Sequence, residues 1–389
     1  MITNKHYLRP TWAEINLDNL KHNMKVLKEY VGDKTEICAV VKADAYGHGS
    51  TDIAKVFVES GAKFLAVATL SEAIELRNSG CNVSIIILGY TPIDQGDLLI
   101  DYNIIQTIFS YEQALAFSNI AKEKNKELTV HIKVDTGMSR LGFQVTEIES
   151  IKSIFNMSNL KVQGIYTHFA LADESDKSFT YGQFERFMNL VNELEHEGYK
   201  VQIKHCSNSA AIIDLPEMNL DMVRAGIILY GLYPSEEVKK ERIKLKPVMA
   251  LKTTVSHVKL IEENKGISYG HRYITKSPTK IATLPVGYAD GLSRLLTNKI
   301  NVNYKGKDLP VVGTICMDQC MIDASNVDIK VGEEVIIFSN TPEYGNTVDY
   351  LAKYLGTINY EIICMLGSRV PRVYLEDNNV VHIRDILLK

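Results

Sequence analysis

The sequence lacks the features that mark several common protein classes. Its 389 residues include six cysteines without a Cys-x-x-Cys pair, and its ten histidines show no metal-ligand spacing. We therefore expect reduced thiols and no metal site. The net charge is -4, and acids and bases are interspersed, which argues against a nucleic-acid-binding surface. No apolar run approaches the length that spans a membrane.

The first residues point to a cytoplasmic protein. Residues 1–10 carry charged side chains and no apolar core, so we expect no secretory leader. The composition is that of a globular protein, with 46% apolar and 23% charged residues. A chain of 389 residues is long enough for two or three domains.

Eight apolar, strand-like runs dominate the first part of the chain, and amphipathic helical stretches separate most of them. The runs are 37–41, 64–69, 84–89, 104–109, 128–134, 162–169, 201–206 and 222–229. Buried parallel strands joined by helices indicate an α/β fold, and the number of strands predicts a closed (β/α)8 barrel of the TIM type over residues 11–232. A doubly wound open sheet is the alternative, but no Gly-x-Gly-x-x-Gly opens the first unit.

The composition changes after the barrel. A charged segment over residues 233–246, bounded by Pro234 and Pro247, is typical of a linker. Beyond it, alternating segments predict a mostly-β domain over residues 247–389, and residues 1–17 either precede the barrel or join this domain. The predicted segments are 249–260, 279–284, 300–304, 308–312 and 334–338, with a helix at 348–355 and a last strand at 372–374.

Reactive polar residues follow the carboxyl ends of the predicted barrel strands, where barrel enzymes place their chemistry. Lys42 ends the first strand, and partial burial there favours the neutral amine, which can form a Schiff base with an aldehyde. The strand alone is equally compatible with a lysine that reaches solvent from the rim. The other such residues are Lys133, Arg140, His168, His205, Asn208, Ser209 and Arg224.

The segment around Lys42 carries a family resemblance. Residues 39–49 read Ala-Val-Val-Lys-Ala-Asp-Ala-Tyr-Gly-His-Gly, which resembles the cofactor-lysine motif of the alanine racemases. Further blocks occur in that family's order at 133–142, 167–170, 208–210, 224–227, 268–270, 287–291, 316–318 and 358–361. The resemblance implies pyridoxal 5'-phosphate (PLP) as cofactor, held covalently by Lys42, with Tyr46 donating to its phosphate.

The resemblance also implies two catalytic bases and a shared site. Lys42 would take the proton from the D-enantiomer and Tyr269 from the L-enantiomer. Tyr269 would come from the partner subunit of a two-fold homodimer and would be assisted by a chain through His168 to Arg224. Taken alone, Tyr269 would more simply be a packed tyrosine of the β domain.

The remaining site residues follow from the same blocks. Those implied at the cofactor are His168, Asn208, Ser209, Arg224, Gly226, Ile227 and Tyr360, and those implied at the substrate are Arg140, Met317, Tyr288 and Tyr360. Arg224 is expected at the pyridine nitrogen, whereas an arginine paired with a nearby acid is the alternative. Lys133 matches a lysine that is carbamylated in many members, and an unmodified lysine is the alternative.

The implied function is interconversion of L-alanine and D-alanine, which supplies D-alanine for cell-wall peptidoglycan. A serine or broad-specificity racemase and a non-catalytic PLP-binding protein remain as alternatives. His271, Arg272 and Thr314 depart from the family's usual pattern near the expected access route, so they leave the substrate range open.

Overall fold

The structure is a computed structural model that describes residues 9–388. Those residues form two compact units. The barrel unit comprises Lys21–Ala45 and Ser50–Leu245, and the β unit comprises the described residues of Met1–Leu20, Tyr46–Gly49 and Lys246–Lys389. The domain limits expected from the sequence stay a prediction. Within residues 9–388, no helix combines the length and apolar character needed to cross a membrane.

The barrel unit contains eight parallel strands, as predicted. The first strand of the chain, β1 (Thr11–Asn16), belongs to the β unit. The strands that follow are β2 (Glu36–Val40), β3 (Phe64–Val67), β4 (Ser84–Ile87), β5 (Ile105–Ile108), β6 (Leu128–Asp135), β7 (Phe143–Gln144), β8 (Leu160–Tyr166), β9 (Ile203–His205) and β10 (Met222–Ala225). Their order is β10-β2-β3-β4-β5-β6-β8-β9, with the short β7 pairing beside β6. The sheet therefore curls into a nearly closed barrel.

Helices connect these strands and cover them from outside, which is why the strands are apolar along their whole length. The helices are α1 (Leu17–Val31), α2 (Lys42–Gly47), α3 (Ser50–Glu59), α4 (Leu70–Asn78), α5 (Gly96–Asp101), α6 (Tyr111–Glu123), α7 (Ile148–Phe155), α8 (Ser178–His196) and α9 (Ser209–Asp214). The eighth barrel strand is shorter than predicted. It ends at Ala225, and a 3-10 turn over Ile227–Tyr230 replaces the rest of the apolar run.

The β unit is built on a seven-stranded sheet in the order β17-β16-β19-β11-β1-β20-β21, beside a three-stranded sheet β12-β15-β18 and a hairpin β13-β14. The strands are β11 (Met249–Thr254), β12 (His257–Ile261), β13 (Gly266–Ile267), β14 (Tyr273–Ile274), β15 (Thr279–Leu284), β16 (Asn301–Tyr304), β17 (Lys307–Pro310), β18 (Cys320–Asp323), β19 (Glu334–Phe338), β20 (Arg372–Glu376) and β21 (Asn379–Arg384). Its helices are α10 (Val348–Leu355) and α11 (Asn359–Cys364).

Several features of the β unit differ from the prediction. The short strands β13, β14 and β18 were not predicted, and β21 follows the strand at 372–374 that was expected to be the last. The run 249–260 is two strands rather than one, because Val255 N–H donates to Glu333 O in one sheet and Ser256 N–H donates to Thr283 O in the other. The chain thus changes sheets at this point. Helix α11 was missed, because six residues are too few to show a helical period.

Candidate active site

The segment after Lys42 is a short left-handed helix. Residues 43–46 have φ angles of 53° to 54°, a conformation that costs about 1–2 kcal/mol for each residue with a Cβ. The first N–H of the segment, that of Ala43, donates to Oε1 of Glu72 at 2.7 Å. At the other end, the N–H of Ser50 donates to Oδ1 of Asp44 at 2.8 Å. The side chain of Glu72, outside the segment, and that of Asp44, within it, therefore stabilise a backbone that the local sequence disfavours.

Arg224 is the centre of a buried polar cluster in the barrel unit. It lies on β10 and is 3% exposed. Its two Nη atoms donate to ring nitrogens of His205 at 2.8 Å and His168 at 3.1 Å. They also donate to the backbone carbonyls of Thr167, His205 and Cys206. No ion pair found within residues 9–388 joins Arg224 to an acid, which disfavours the alternative of a paired structural arginine.

The hydrogen bonds around Arg224 determine where the imidazole protons sit. A guanidinium only donates, so Nδ1 of His168 accepts and its Nε2 carries the proton. Nδ1 of His205 accepts in the same way, so its Nε2–H donates to Nδ1 of His131 at 2.9 Å. The Nε2–H of His131 in turn donates to Oε1 of Gln163 at 3.3 Å. Each hydrogen bond in this chain is therefore donated in the same direction, from Arg224 through His205 and His131 to Gln163.

These three imidazoles are neutral at neutral pH. Burial lowers the pKa of His168 and that of His205 well below the usual value, and the nearby charge of Arg224 lowers both further. Burial also lowers the pKa of His131 to about 4. Arg224 is therefore the cation of the cluster, and His168 presents a neutral N–H donor.

Lys133 adds a second buried nitrogen. It is 5% exposed, and burial, followed by the charge of Arg224, lowers its pKa to about 7. Its Nζ donates to Val134 O at 2.8 Å and lies 5.3 Å from the centroid of the Tyr166 ring. That ring also stacks on His205, with centroids 4.6 Å apart. A large share of Lys133 is thus a neutral amine near pH 7, which is the reactive form.

Backbone and hydroxyl donors gather where α9 and the 3-10 turn at Ile227 begin. The side chain of Asn208 caps α9 by accepting the N–H of Ala211 at 3.1 Å. The hydroxyl of Ser209 accepts the N–H of Gly226 at 3.1 Å, which brings the two helical starts together. The first N–H groups of a helix have no acceptor inside it, so this corner suits a phosphate.

The predicted barrel residues share one electrostatic environment. The cations that lower the pKa of His168 are Arg224, Lys133, Arg140 and Lys42, in that order. Arg140 is exposed in the loop after β6. The set offers an amine for an aldehyde, donors for a phosphate and a cation for a ring nitrogen. It therefore fits PLP and an anionic substrate.

The predicted residues of the β unit form a second group. The rings of Tyr46 and Tyr360 lie with centroids 6.0 Å apart. Burial, with a smaller contribution from Cys364, raises the pKa of Tyr46 well above its usual value. The phenol of Tyr46 therefore stays protonated and can donate a hydrogen bond to an anion.

Tyr288 and Met317 are brought together by one turn. The N–H of Tyr288 donates to Cys316 O, and the N–H of Ala289 donates to Met317 O, both at 3.0 Å. A Cβ on Gly287 would lie 2.3 Å from Cys316 O, so only glycine fits. Met317 is 53% exposed.

Tyr269 lies in the β unit, next to Ser268, whose hydroxyl is 3.3 Å from Sγ of Cys316. It opens the 3-10 turn Tyr269–His271, and it is 71% exposed. Within residues 9–388, no hydrogen bond of its hydroxyl is found. The sequence-based chain from Tyr269 to His168 therefore stays a prediction, whereas the link from His168 to Arg224 is present.

Sequence reasoning missed several residues of the site. No motif or spacing points to His131, Tyr166 or Glu72, and the sequence places His205 only after a strand. One signal was available. A glycine inside a strand marks a close approach, and a Cβ on Gly164 would lie 2.6 Å from the ring of His131.

Comparison with known proteins decides the family. Residues 15–234 match the family model for the N-terminal domain of alanine racemase, and residues 248–374 match that for its C-terminal domain. The alanine racemase of Clostridium tetani is 50% identical over 384 residues, which cover 97% of this chain and 99% of that protein. The chain belongs to the alanine racemase family.

Solved structures of alanine racemases agree. The one from Clostridium difficile 630 has a TM-score of 0.94 at 45% identity and covers 97% of this chain and 99% of its own. The one from Bartonella henselae, with covalently bound pyridoxal phosphate, has a TM-score of 0.85 at 28% identity and covers 95% of this chain and 100% of its own. Like the rest of the alanine racemase family, this chain is an amino-acid isomerase with PLP as its cofactor.

Proposed function

We propose that this chain interconverts L-alanine and D-alanine with two bases, Lys42 and Tyr269 of the partner subunit. The observation that carries the proposal is the buried Arg224 bonded to a neutral His168. Lys42, Tyr46, Ser209, Gly226 and Ile227 would hold PLP and its phosphate. His168, Asn208, Arg224 and Tyr360 would complete its surroundings. When bound, PLP draws electron density from the substrate Cα and so makes its proton removable.

Arg224 tunes that chemistry towards proton exchange. An arginine stays charged in proteins, so it holds a neighbouring ring nitrogen unprotonated. Its Nη atoms are occupied by carbonyls and imidazoles, while no hydrogen bond of its Nε–H is found within residues 9–388. That N–H is the donor we assign to the ring nitrogen. A less electron-withdrawing ring disfavours decarboxylation and transamination.

His168 would stabilise an ionised tyrosine by donating a hydrogen bond to its oxygen. Its Nδ1 accepts from Arg224, so its Nε2–H faces away from that cation as a donor. A phenolate oxygen of the partner's Tyr269 would accept this N–H with the charge of Arg224 behind it. A donor backed by a cation favours the ionised form, which is the basic one. Lys42 would serve the opposite face of the substrate.

A two-fold homodimer explains why Tyr269 is exposed. It is 71% exposed and Met317 is 53% exposed, although both are expected at the substrate. A closed two-fold dimer would cover them and complete two equivalent sites.

Residues around the substrate are expected to select its size. Met317 and Tyr360 would crowd the side chain, Tyr288 would line the same pocket, and Arg140 would bind the carboxylate. A carbamylated Lys133 would orient Arg140. Such a pocket rejects one extra methylene or a hydroxyl by only ~1–3 kcal/mol, so slow turnover of serine is expected. The product D-alanine would serve peptidoglycan synthesis in the cytoplasm.

The first test follows hydrogen exchange. The purified holoenzyme is incubated with L-alanine, and separately with L-serine, in deuterated water, and the enantiomers are resolved by chiral chromatography with mass detection. We expect D-alanine with deuterium at Cα, much faster than D-serine, and loss of this product in Lys42→Ala and Tyr269→Phe. Tyr344→Phe removes another exposed hydroxyl of the β unit and should behave as wild type. Comparable rates on both substrates would mean a broad-specificity racemase, and no exchange would mean a binding protein.

A second test asks whether the sites are shared. A heterodimer of one Lys42→Ala chain and one Tyr269→Phe chain, isolated with two affinity tags, keeps one intact site only if each site uses both subunits. It should show about half of wild-type activity, although each parent homodimer is inactive. An inactive heterodimer would place both bases in one chain and refute the sharing.

A further inference from the structure

We propose that Thr314 is a positioning residue that holds the backbone of Tyr269 for catalysis. The inference rests on the proposed function, in which Tyr269 is one of the two bases. Thr314 is 0% exposed, and its Oγ1 donates to the carbonyl oxygen of Tyr269 at 2.7 Å. It is therefore a buried side chain bonded to the catalytic residue's own peptide group.

The turn that carries Tyr269 needs such support, because its backbone is strained on both sides. Ser268 has φ 63° and ψ -171°, a region that essentially only glycine occupies. His271 has φ 44°, also in the left-handed region. Conformations of this kind persist only where surrounding contacts enforce them.

Two reciprocal hydrogen bonds provide the contacts. The hydroxyl of Ser268 donates to Thr314 O at 2.7 Å, and the hydroxyl of Thr314 donates to Tyr269 O at 2.7 Å. The Ser268 hydroxyl also lies 3.3 Å from Sγ of Cys316. Because Thr314 is buried, water cannot replace its bond to Tyr269.

Glycines allow the two segments to approach. A Cβ on Gly313, which has φ +74°, would lie 2.7 Å from Ile267 O. A Cβ on Gly266 would lie 2.2 Å from the ring of His271. Gly313 therefore packs against Ile267, before the turn, and Gly266 packs against His271, at the end of the turn. Thr314 supplies the hydrogen bond to Tyr269 itself.

The consequence concerns one direction of proton transfer. A tyrosine side chain swings about its backbone, so a small shift of the Tyr269 peptide moves its hydroxyl, and a misplacement of about 1 Å costs roughly a hundredfold in rate. Lys42 lies in the barrel unit, where the hydrogen bond between Ala43 and Glu72 does not involve Thr314. Loss of the Thr314 hydroxyl should therefore impair the Tyr269 face selectively.

The experiment uses the holoenzyme with D-alanine in deuterated water. Lys42 removes the Cα proton and exchanges it with solvent deuterium. The enzyme then either returns deuterium from Lys42 to the same face, which gives deuterated D-alanine, or delivers deuterium from the exchanged hydroxyl of Tyr269 to the opposite face, which gives deuterated L-alanine. In Thr314→Val we expect kcat to fall about tenfold and the early ratio of deuterated D-alanine to L-alanine to rise by a similar factor. Thr314→Ser keeps the hydroxyl and should restore both values towards wild type.

A matched control separates positioning from general loss of a buried hydrogen bond. Thr279 is also buried in the β unit, and its hydroxyl donates to Ser277 O at 2.7 Å. Thr279→Val should leave the ratio unchanged. A lower kcat in Thr314→Val with an unchanged ratio, or wild-type values for both, would overturn the inference. If wild type itself does not racemise, the proposed function fails first.

Discussion

Replacing Glu72 by glutamine should weaken the hydrogen bond that holds the backbone next to Lys42. The carboxylate of Glu72 accepts three backbone N–H groups, from Ala43 at 2.7 Å, Ala68 at 2.8 Å and Thr69 at 3.1 Å. Oε1 serves Ala43, and Oε2 serves the other two. An amide has one acceptor oxygen, so Glu72→Gln can satisfy one side and turns its NH2 group against a donor on the other.

The magnitude follows from the kind of bond that is lost. Hydrogen bonds to a charged group contribute about 1.5–3 kcal/mol, and exposure of Ala43 places this one at or below the lower end. The left-handed residues 43–46 store about 1–2 kcal/mol each, so the segment has strain to release once its tether is weakened. Because Lys42 precedes that segment directly, we expect kcat to fall about 10–100-fold.

The assay compares kcat and stability in two variants. Thr69→Ala removes the N-cap of α4, whose hydroxyl accepts the N–H of Glu72, and should cost about 1 kcal/mol of unfolding free energy while leaving the bond to Ala43. Glu72→Gln should lower kcat far more than Thr69→Ala does at a similar loss of stability. Equal losses of kcat in both variants would show that only helix stability matters, and the reasoning would be refuted.

Three further outcomes follow from the structure. The folded-state pKa of His131 lies at about 4, below the ordinary 6.5, so the unfolded chain binds more protons between these pH values and the free energy of unfolding falls as the pH falls through them, by up to about 3 kcal/mol. In urea unfolding of His131→Asn, the free energy of unfolding should depend less steeply on pH over that range, and an unchanged slope would contradict this. Lys133 gains neutral amine as the pH rises through about 7, so added bicarbonate should raise activity more above that pH than below it, and Lys133→Met should not respond. Gly47→Ala would place a Cβ 2.3 Å from Ile363 O at φ +80°, so it should lower the free energy of unfolding, measured with denaturant, by more than about 2 kcal/mol. Gly80→Ala has a similar φ but meets open space, so it should lower that free energy less.

The architecture was readable from the sequence because burial leaves a periodic record. Strands covered on both faces must be apolar throughout, so the barrel strands stood out, and β15 and β19 have the predicted bounds. The position of Lys42 at a strand end was readable for the same reason. The break between β11 and β12 was not, because both pieces alternate alike and only their partners in different sheets separate them.

The chemistry of the site depended on contacts between distant residues. Local sequence predicts no left-handed helix after Lys42, since each residue there has a Cβ. The carboxylates of Glu72 and Asp44 and the packing around Gly47 stabilise it.

The sequence by itself thus determined the family, the two kinds of unit and the strand ends that carry reactive groups, since these follow from local pattern and residue type. Tertiary structure alone decided the proton order from Arg224 through His205 to His131, because a tautomer is set by which group lies opposite each ring nitrogen. It also decided that Thr314 faces the Tyr269 carbonyl, because that contact depends on the close approach of two separate segments.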